Sequence, residues 1–369
     1  MNRLKALTDK GQAVWLDYIR CDLLDSGELA RMVREDGITG VTSNPAIFQK
    51  AIGESELYDA EIRSILEADP GASTQDVYEQ LAIADIRRAA DILRPVYVES
   101  AGADGFVSLE VSPHLARDTA GTLREARSFW RRVDRPNLMI KVPASREGIP
   151  AVEELLAEGI HVNITLMFSL GHYEDVARAY LRGVTRAADP RAAASVASFF
   201  VSRVDSAVDS ELATMATPQA RELLGRVAIA NSKITYARYQ EIFHGEAFAE
   251  HSARGARPQR VLWASTSTKN PDYRDVMYVE ELVGPETVNT VPPSTLDAFR
   301  DHGRVAATLM TGLDDAREDL ERLASLGIDL DATAERLQEE GLEKFAMPFD
   351  RLLETIDEKR RNLAAAVAG

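Results

Sequence analysis

Cysteine is almost absent from this chain, which contains a single one, Cys21. One cysteine cannot form an intrachain disulfide or a cysteine-based metal cage. The six histidines are scattered and form no H-x-H or H-E-x-x-H pattern, and such clustered ligands are what a metal-dependent mechanism would need. We therefore expect neither a disulfide scaffold nor a metal site.

Long apolar runs are also missing. No stretch of about 18 consecutive apolar residues occurs, and residues 1–10 lack the apolar segment of a signal peptide. Basic residues are outnumbered, since 43 Lys and Arg against 59 Asp and Glu leave a net charge of −16. That charge disfavours nucleic-acid binding, although one or two placed cations can still bind a small phosphate. We expect a cytoplasmic protein that binds neither nucleic acid nor membrane.

The composition is that of a globular protein, with 45% hydrophobic and 28% charged residues in 369 positions. This length allows one large core or two ordinary domains. No linker or low-complexity segment divides the chain, so we expect a single domain over residues 1–369. Eight short apolar runs lie along it, at residues 14–17, 38–43, 106–111, 138–142, 162–167, 195–201, 261–265 and 288–291.

Amphipathic segments separate several of these runs, at residues 76–93, 151–157, 173–187 and 218–243. Strands that alternate with helices predict a parallel sheet, and eight such strands favour a closed barrel over a doubly wound sheet. No G-x-G-x-x-G follows the first run, which weakens a dinucleotide-binding alternative. The prediction is an α/β fold, a single (β/α)8 TIM barrel with an extra N-terminal helix. After Ser294 the chain reads as helices interrupted near Gly327 and Gly341, and we expect these helices to pack near the barrel mouth.

A lysine lies inside one of the apolar runs. Side chains alternate between the two faces of a strand. Lys141 therefore lies on the same face as Met139, while Ile140 and Val142 lie on the other face. One interpretation is an edge lysine whose amine reaches water. The other is a functional amine inside a barrel, and the neighbouring strands decide between them.

Several other predicted strands carry polar residues near their carboxyl-terminal ends, where barrel active sites are assembled. Burying unpaired polar groups separately on each strand would be costly, so one shared pocket explains them better. The residues are Asp17, Thr42, Ser43, Asn44, Ser108, Glu110, Asn163, Thr165 and Ser198, with Arg203 just beyond the sixth strand.

The chemistry of such a pocket follows from its residue types. A lysine enclosed by apolar side chains loses hydration, which disfavours its ammonium form. The free amine can attack a carbonyl and form a Schiff base, through which an adjacent C–C bond breaks or forms. Glu110 and Asp17 supply carboxylates for proton transfer. Asn44, Asn163 and Thr165 suit a polyhydroxylated substrate.

A phosphate group would require cations near this pocket. Arg203 follows the sixth predicted strand and Lys269 follows the seventh, and the loops after the last strands of such barrels commonly bind phosphate. The alternative is that both are solvated surface charges.

Long motifs resemble those of the transaldolases. Residues 36–48, DGITGVTSNPAIF, resemble their first signature, and residues 139–144, MIKVPA, with Gly148 and Ile149, resemble the segment that holds their Schiff-base lysine. The resemblance continues through residues 159–169, GIHVNITLMFS, and residues 288–292, VNTVP, to the helix at 345–353. It covers almost the whole chain and is closest to the longer bacterial type.

The resemblance implies transfer of a dihydroxyacetone unit from sedoheptulose 7-phosphate to glyceraldehyde 3-phosphate, giving erythrose 4-phosphate and fructose 6-phosphate, in the non-oxidative pentose phosphate pathway. It implies no cofactor, phosphorylated sugars as partners, and a monomer or homodimer. By motif position, Lys141 is the Schiff-base residue, Glu110 and Thr165 activate a water, and Asp17 handles the substrate hydroxyl proton. The substrate-binding residues that it implies are Ser43, Asn44, Asn163, Ser198, Arg203 and Lys269.

The resemblance is incomplete at the phosphate side. Residues 198–203, SFFVSR, have Phe199 and Ser202 where the family commonly has Pro and Gly. Lys269 stands about where other members carry a second phosphate-binding Arg, and a lysine keeps the charge but loses the planar fork.

Two alternatives stay open at this point. One is a related Schiff-base aldolase that releases dihydroxyacetone to water. The other is a barrel that binds a sugar phosphate without turnover, against which the set Lys141, Glu110 and Asp17 argues.

Overall fold

The structure is a computed structural model that describes residues 2–368, with side chains for residues 2–362. Eight parallel strands form a closed barrel in chain order, and the last strand pairs with the first. The strands are β1 (Gln12–Asp17), β2 (Ile38–Thr42), β3 (Phe106–Glu110), β4 (Leu138–Pro143), β5 (Val162–Met167), β6 (Ser195–Phe200), β7 (Arg260–Ala264) and β8 (Thr287–Val291). All eight predicted runs coincide with these strands to within two residues. The predicted (β/α)8 barrel is confirmed.

Helices surround the barrel and cover its mouth. They are α1 (Arg3–Thr8), α2 (Cys21–Asp25), α3 (Glu28–Asp36), α4 (Pro45–Phe48), α5 (Asp59–Ala68), α6 (Thr74–Glu99), α7 (Thr119–Val133), α8 (Gly148–Ala157), α9 (Leu170–Arg186), α10 (Ser202–Met215), α11 (Pro218–Leu223), α12 (Val227–Phe243), α13 (Glu246–Ala253), α14 (Met277–Glu281), α15 (Pro293–His302), α16 (Leu313–Ser325) and α17 (Leu330–Ala368). A π-helical turn at Gln49–Gly53 and a 3-10 turn at Pro113–Leu115 complete them.

The extra helices occupy the predicted places. Helix α1 precedes β1 and buries Leu4 and Leu7. Helix α17 packs on α4, α5, α6, α10 and β5, so it lies over the carboxyl-terminal end of the barrel.

Two predicted helix boundaries are wrong. The segment 218–243 is not one helix, because Gly225 adopts φ +70° and separates α11 from α12. An L side chain rarely adopts that conformation, and a glycine there ends the helix. Conversely, α17 continues through Gly341 without interruption, whereas the break near Gly327 is present. A Cβ at position 341 would lie 2.9 Å from a Leu166 methyl group, so this glycine allows close packing and does not end the helix.

The barrel is tightly packed, and the contact between Gly40 and Trp15 shows this. Gly40 on β2 lies opposite Trp15 on β1. Trp15 is fully buried, and its indole nitrogen donates to Asp104 Oδ1 at 2.8 Å. A Cβ at Gly40 would lie 2.5 Å from the indole carbons. The indole therefore occupies the space that any side chain at position 40 would need.

We expect Gly40→Ala to lower the free energy of unfolding by about 3 kcal/mol, since overpacking of a filled core displaces side chains and backbone. Urea denaturation followed by tryptophan fluorescence measures this. Gly71→Ala is the control, because a Cβ there meets nothing nearer than Asp69 Oδ1 at 3.4 Å; its change should stay within about 0.5 kcal/mol. Equal destabilisation by the two variants would contradict the packing argument.

Candidate active site

A pocket opens at the carboxyl-terminal end of the barrel, where α17 covers the strands. Its cavity volume is about 220 Å³. The lining residues come from seven strands, all except β3, from the segments that follow them, and from α17. They are Asp17, Thr42, Asn44, Lys141, Thr165, Ser198, Phe200, Arg203, Ala264, Ser265, Ser267, Lys269, Thr290, Pro292 and Phe345.

Larger cavities exist elsewhere in the described part of the chain. One of about 500 Å³ lies among α12, α16 and the start of α17, and one of about 390 Å³ lies between α12, α14 and α16. The first is lined mainly by aliphatic side chains, and the second pairs its charged groups on the rim, as in the Arg226–Asp319 ion pair at 2.8 Å. Neither lies at a strand end of the barrel, and a third cavity, of about 380 Å³, lies at the amino-terminal end of β3, β6 and β7. Active sites of such barrels lie at the carboxyl-terminal end, so the mouth pocket is the candidate active site.

Lys141 is the buried amine of this pocket. Its side chain is 6% exposed, and Nζ lies 3.2 Å from Glu110 Oε2. Nζ also donates a hydrogen bond of 3.1 Å to the backbone carbonyl of Ser43. The strand register explains the contact, since Glu110, Lys141 and Asn163 are aligned on β3, β4 and β5. An edge lysine that reaches bulk water does not fit this burial.

Glu110 contacts Lys141 but does not itself line the pocket. Burial raises the pKa of Glu110 to about 6, although the charge of Lys141 opposes the shift. Within residues 2–362, neither carboxylate oxygen has a well-aligned hydrogen-bond partner, so the contact with Lys141 is an ion pair. A carboxylate with this pKa can both accept and return a proton near neutral pH.

Asp17 lies at the end of β1 and faces the same pocket. Thr42 Oγ1 donates to Asp17 Oδ1 at 2.7 Å and lies 2.6 Å from Thr290 Oγ1. Burial raises the pKa of Asp17, while the nearby Lys141 charge and the Thr42 hydrogen bond oppose the increase. Thr42 and Thr290 therefore hold this carboxylate in place across β1, β2 and β8.

Thr165 is the polar residue at the end of β5. Its hydroxyl oxygen is buried and has no hydrogen-bond partner among the described residues. The next residue, Leu166, adopts φ +65°, and the β5–β6 register slips between Ile164 and Met167. Such a left-handed leucine is strained, and strain of this kind concentrates at functional sites. The irregularity sets where Thr165 points relative to β6.

Four predicted substrate-binding residues, Ser43, Asn44, Asn163 and Ser198, form hydrogen bonds within the protein. Asn163 is fully buried and does not line the pocket. Its Nδ2 donates to Ser108 Oγ at 3.0 Å, and its Oδ1 accepts from Ser198 Oγ at 2.7 Å. The Ser43 hydroxyl donates to the carbonyl of Ser108 at 2.8 Å. Asn44 lines the pocket, but its side-chain oxygen caps α4 by accepting from the Ile47 amide at 3.0 Å. Direct substrate contact by these side chains stays a prediction.

The two candidate phosphate ligands lie on the opposite side of the pocket from β3. Arg203 belongs to the first turn of α10, and its Nη1 is buried without a hydrogen-bond partner in the part of the chain that the structure describes. Lys269 follows β7, and its amine donates to Ser267 Oγ at 2.6 Å. The charged side chains that line the pocket are three cations, Lys141, Arg203 and Lys269, and one carboxylate, Asp17, so the pocket lining is cationic in an acidic protein.

Some lining residues were not assigned a role from the sequence. Thr42 and Thr290 lie within the motifs at 36–48 and 288–292. Each is a polar residue in a predicted strand, and this feature indicates a pocket residue. Phe200 lies between the predicted site residues Ser198 and Arg203, and Ser265 is the last residue of the seventh predicted strand. Phe345 begins the segment 345–353 that resembles the family, but its place in the pocket depends on how α17 packs over the barrel.

Two further searches of the described residues bear on function. Residues 2–368 contain no group of three or more His, Cys, Asp or Glu side chains arranged to hold a metal ion. None of the helices in that range combines the length and apolar character needed to cross a membrane.

Comparison with known proteins identifies the family. The sequence model described as transaldolase/fructose-6-phosphate aldolase matches residues 14–356. The chain belongs to this family. The transaldolase of Thiobacillus denitrificans is 49% identical over 360 residues, which cover 96% of this chain and 100% of that protein. The transaldolase of Thermobifida fusca is 48% identical, with 96% and 97% covered, and transaldolase 2 of Nostoc punctiforme is 46% identical, with 98% and 99% covered.

Membership of the transaldolase family confirms the expectation from the motifs. It also confirms an enzyme of the transferase class. The pocket described above lies within the matched residues, and it is the site to which the chemistry of this family is assigned below.

Proposed function

We propose that this chain transfers a dihydroxyacetone unit between phosphorylated sugars through a Schiff base on Lys141. The donor is sedoheptulose 7-phosphate and the acceptor is glyceraldehyde 3-phosphate; the products are erythrose 4-phosphate and fructose 6-phosphate. One observation carries the proposal: an amine that is 6% exposed lies 3.2 Å from a carboxylate at the barrel mouth. The relatives named transaldolase support the same reaction.

The first step is formation of the Schiff base. Lys141 gives a proton to Glu110, and Nζ bonds to the carbonyl carbon of the ketose. The carbonyl oxygen takes one proton from the attacking nitrogen and a second back from Glu110, and it leaves as water. Thr165, whose buried hydroxyl has no hydrogen-bond partner among the described residues, positions a water or substrate hydroxyl for this transfer.

The second step breaks the adjacent carbon–carbon bond. Asp17 accepts the proton of the neighbouring substrate hydroxyl, and the bonding electrons flow into the positively charged imine. An enamine remains on Lys141 and the aldose product leaves. The reverse of this step with the acceptor aldehyde forms the new bond, and Asp17 returns its proton to the new hydroxyl. Water then hydrolyses the imine, which frees the product ketose and the amine of Lys141. The raised pKa of Asp17 favours this role, because a more basic carboxylate accepts a hydroxyl proton more readily.

Arg203 and Lys269 bind the sugar phosphate. The buried Nη1 of Arg203 has no hydrogen-bond partner among the described residues, and a buried guanidinium nitrogen is costly unless it is paired. A phosphate oxygen satisfies it and forms a charge-assisted hydrogen bond.

The reaction is tested by supplying fructose 6-phosphate with and without erythrose 4-phosphate in the presence of EDTA. We expect sedoheptulose 7-phosphate and glyceraldehyde 3-phosphate to form at least about tenfold faster than free dihydroxyacetone. Dihydroxyacetone release at the same rate with and without acceptor would indicate an aldolase. Loss of turnover with EDTA, or no turnover at all, would reject the proposed mechanism.

We expect Arg203→Ala to raise KM for fructose 6-phosphate by roughly ten- to a hundredfold, since one charge-assisted hydrogen bond contributes about 1.5–3 kcal/mol. The apparent affinity for unphosphorylated dihydroxyacetone as a donor should change by less than about threefold. Steady-state kinetics with both donors measure the difference.

Arg178→Ala is the control for that variant, because Arg178 is 54% exposed on α9 and pairs with Asp175. Its kinetics should match those of the parent. Equal weakening of both donors by Arg203→Ala would contradict a phosphate contact.

A further inference from the structure

Phe345 is the one lining residue of the mouth pocket that comes from α17. It is 5% exposed, and its ring centre lies 5.4 Å from Lys141 Nζ and 5.9 Å from Arg203 Cζ. Both distances are within the range of cation–π contacts. The ring therefore lies close to the amine that carries the intermediate and to the guanidinium proposed to bind phosphate.

Contacts on both sides of Phe345 hold its helix against the barrel. Gln338 Nε2 donates to the carbonyls of Ala144 at 3.1 Å and Leu166 at 3.0 Å, at the ends of β4 and β5. One turn beyond Phe345, the ring of Phe349 packs edge-on against Tyr78 with centroids 5.3 Å apart. The position of the Phe345 ring over the pocket is therefore fixed by its neighbours along the helix.

The enamine on Lys141 has two fates. In transfer, the enamine carbon bonds to the carbonyl carbon of the acceptor, and the carbonyl oxygen takes a proton. In release, the enamine carbon takes a proton instead. In both cases water then adds to the resulting imine carbon, the C–N bond breaks, and Lys141 recovers its amine as the ketose product or dihydroxyacetone leaves. The two fates therefore differ in whether the acceptor or a proton reaches the enamine carbon.

We propose that Phe345 is a specificity-determining residue, which favours transfer over release by keeping water away from the intermediate on Lys141. This inference rests on the proposed function and adds a determinant from outside the barrel strands. An apolar ring next to the enamine occupies volume that solvent would otherwise fill, so less water is present to deliver a proton to the enamine carbon.

The test is the ratio of free dihydroxyacetone release to product transfer, measured at saturating fructose 6-phosphate and erythrose 4-phosphate. Phe345→Ala should raise this ratio about tenfold, and Phe345→Leu, which keeps part of the apolar volume, about threefold. Both variants should still form a borohydride-trapped adduct at Lys141. A merely structural role for Phe345 would lower both rates together and leave the ratio unchanged.

Phe349→Leu is the matched control, since Phe349 is equally buried on the same helix but does not line the pocket. Its ratio should equal that of the parent. The inference is overturned if Phe345→Leu leaves the ratio unchanged, or if Phe349→Leu raises it as much. Failure of the parent protein to form the adduct would instead overturn the proposed function, so the two failures are distinguishable.

Discussion

Replacing Lys141 with alanine is expected to reduce turnover by about five orders of magnitude, because the variant lacks the nucleophile that forms the covalent intermediate. The amine cannot be replaced from nearby, since Lys269 follows β7 at the exposed rim and is bonded to Ser267. A coupled assay of transfer measures the loss, and far-ultraviolet circular dichroism checks that the barrel is intact.

Lys269→Ala is the matched control, as the other lysine of the pocket. It should raise KM for phosphorylated donors while the Schiff base still forms on Lys141. If Lys269→Ala formed no adduct and Lys141→Ala still formed one, the Schiff base would form on Lys269, and the assignment to Lys141 would be rejected.

Glu110→Gln is expected to lower kcat by about a hundred- to a thousandfold, since positioned proton transfer contributes roughly two to four orders of magnitude. The amide is close in shape to the carboxylate, but it cannot accept the proton of Lys141. Some adduct should still form, more slowly, because the nucleophile is present. Little change in turnover would contradict the role of Glu110.

The same carboxylate predicts a pH dependence. Burial raises the pKa of Glu110 to about 6, so the basic carboxylate is present above that pH and is lost as the pH falls through it. Turnover of the parent should therefore fall about tenfold per unit below pH 6. Glu110→Gln should lack this acidic limb, since the group that titrates has been removed.

Glu125→Gln is the control for the pH profile. Burial raises the pKa of Glu125 to about 7, yet Glu125 does not line the pocket. The variant should keep the acidic limb of the parent. An acidic limb that persists in Glu110→Gln would assign it to another group, with Asp17 the next candidate because burial also raises its pKa.

The barrel could be predicted from the sequence because its strands are short apolar runs separated by helices. The polar members of those runs then marked the inner face of the barrel at its carboxyl-terminal end. Parallel strands align their ends, and this is why Lys141 and Glu110, 31 positions apart, lie 3.2 Å from each other.

Other features depend on packing between distant segments and could not be predicted. Gly225 and Gly341 look alike in sequence, yet one breaks a helix at φ +70° and the other lies inside a continuous helix. Similarly, Phe345 is one aromatic residue on an amphipathic helix, and only the docking of α17 places its ring beside Lys141.

Side-chain networks inside the barrel were also beyond the sequence. The strand position of Asn163 predicts a contact with substrate, whereas its amide bridges Ser108 and Ser198 in the structure. Asn44 reads as a polar pocket residue, and its oxygen caps a helix. Residue type and periodicity give the face on which a side chain lies, whereas hydrogen-bond partners depend on the register between strands.

The central claim is that the buried amine of Lys141 captures a ketose. Incubation with fructose 6-phosphate and sodium borohydride, followed by peptide mass spectrometry, tests it most directly. We predict a single reduced dihydroxyacetone adduct on the peptide that contains Lys141, absent from Lys141→Ala. An adduct on a different lysine, or none at all in active protein, would contradict the account.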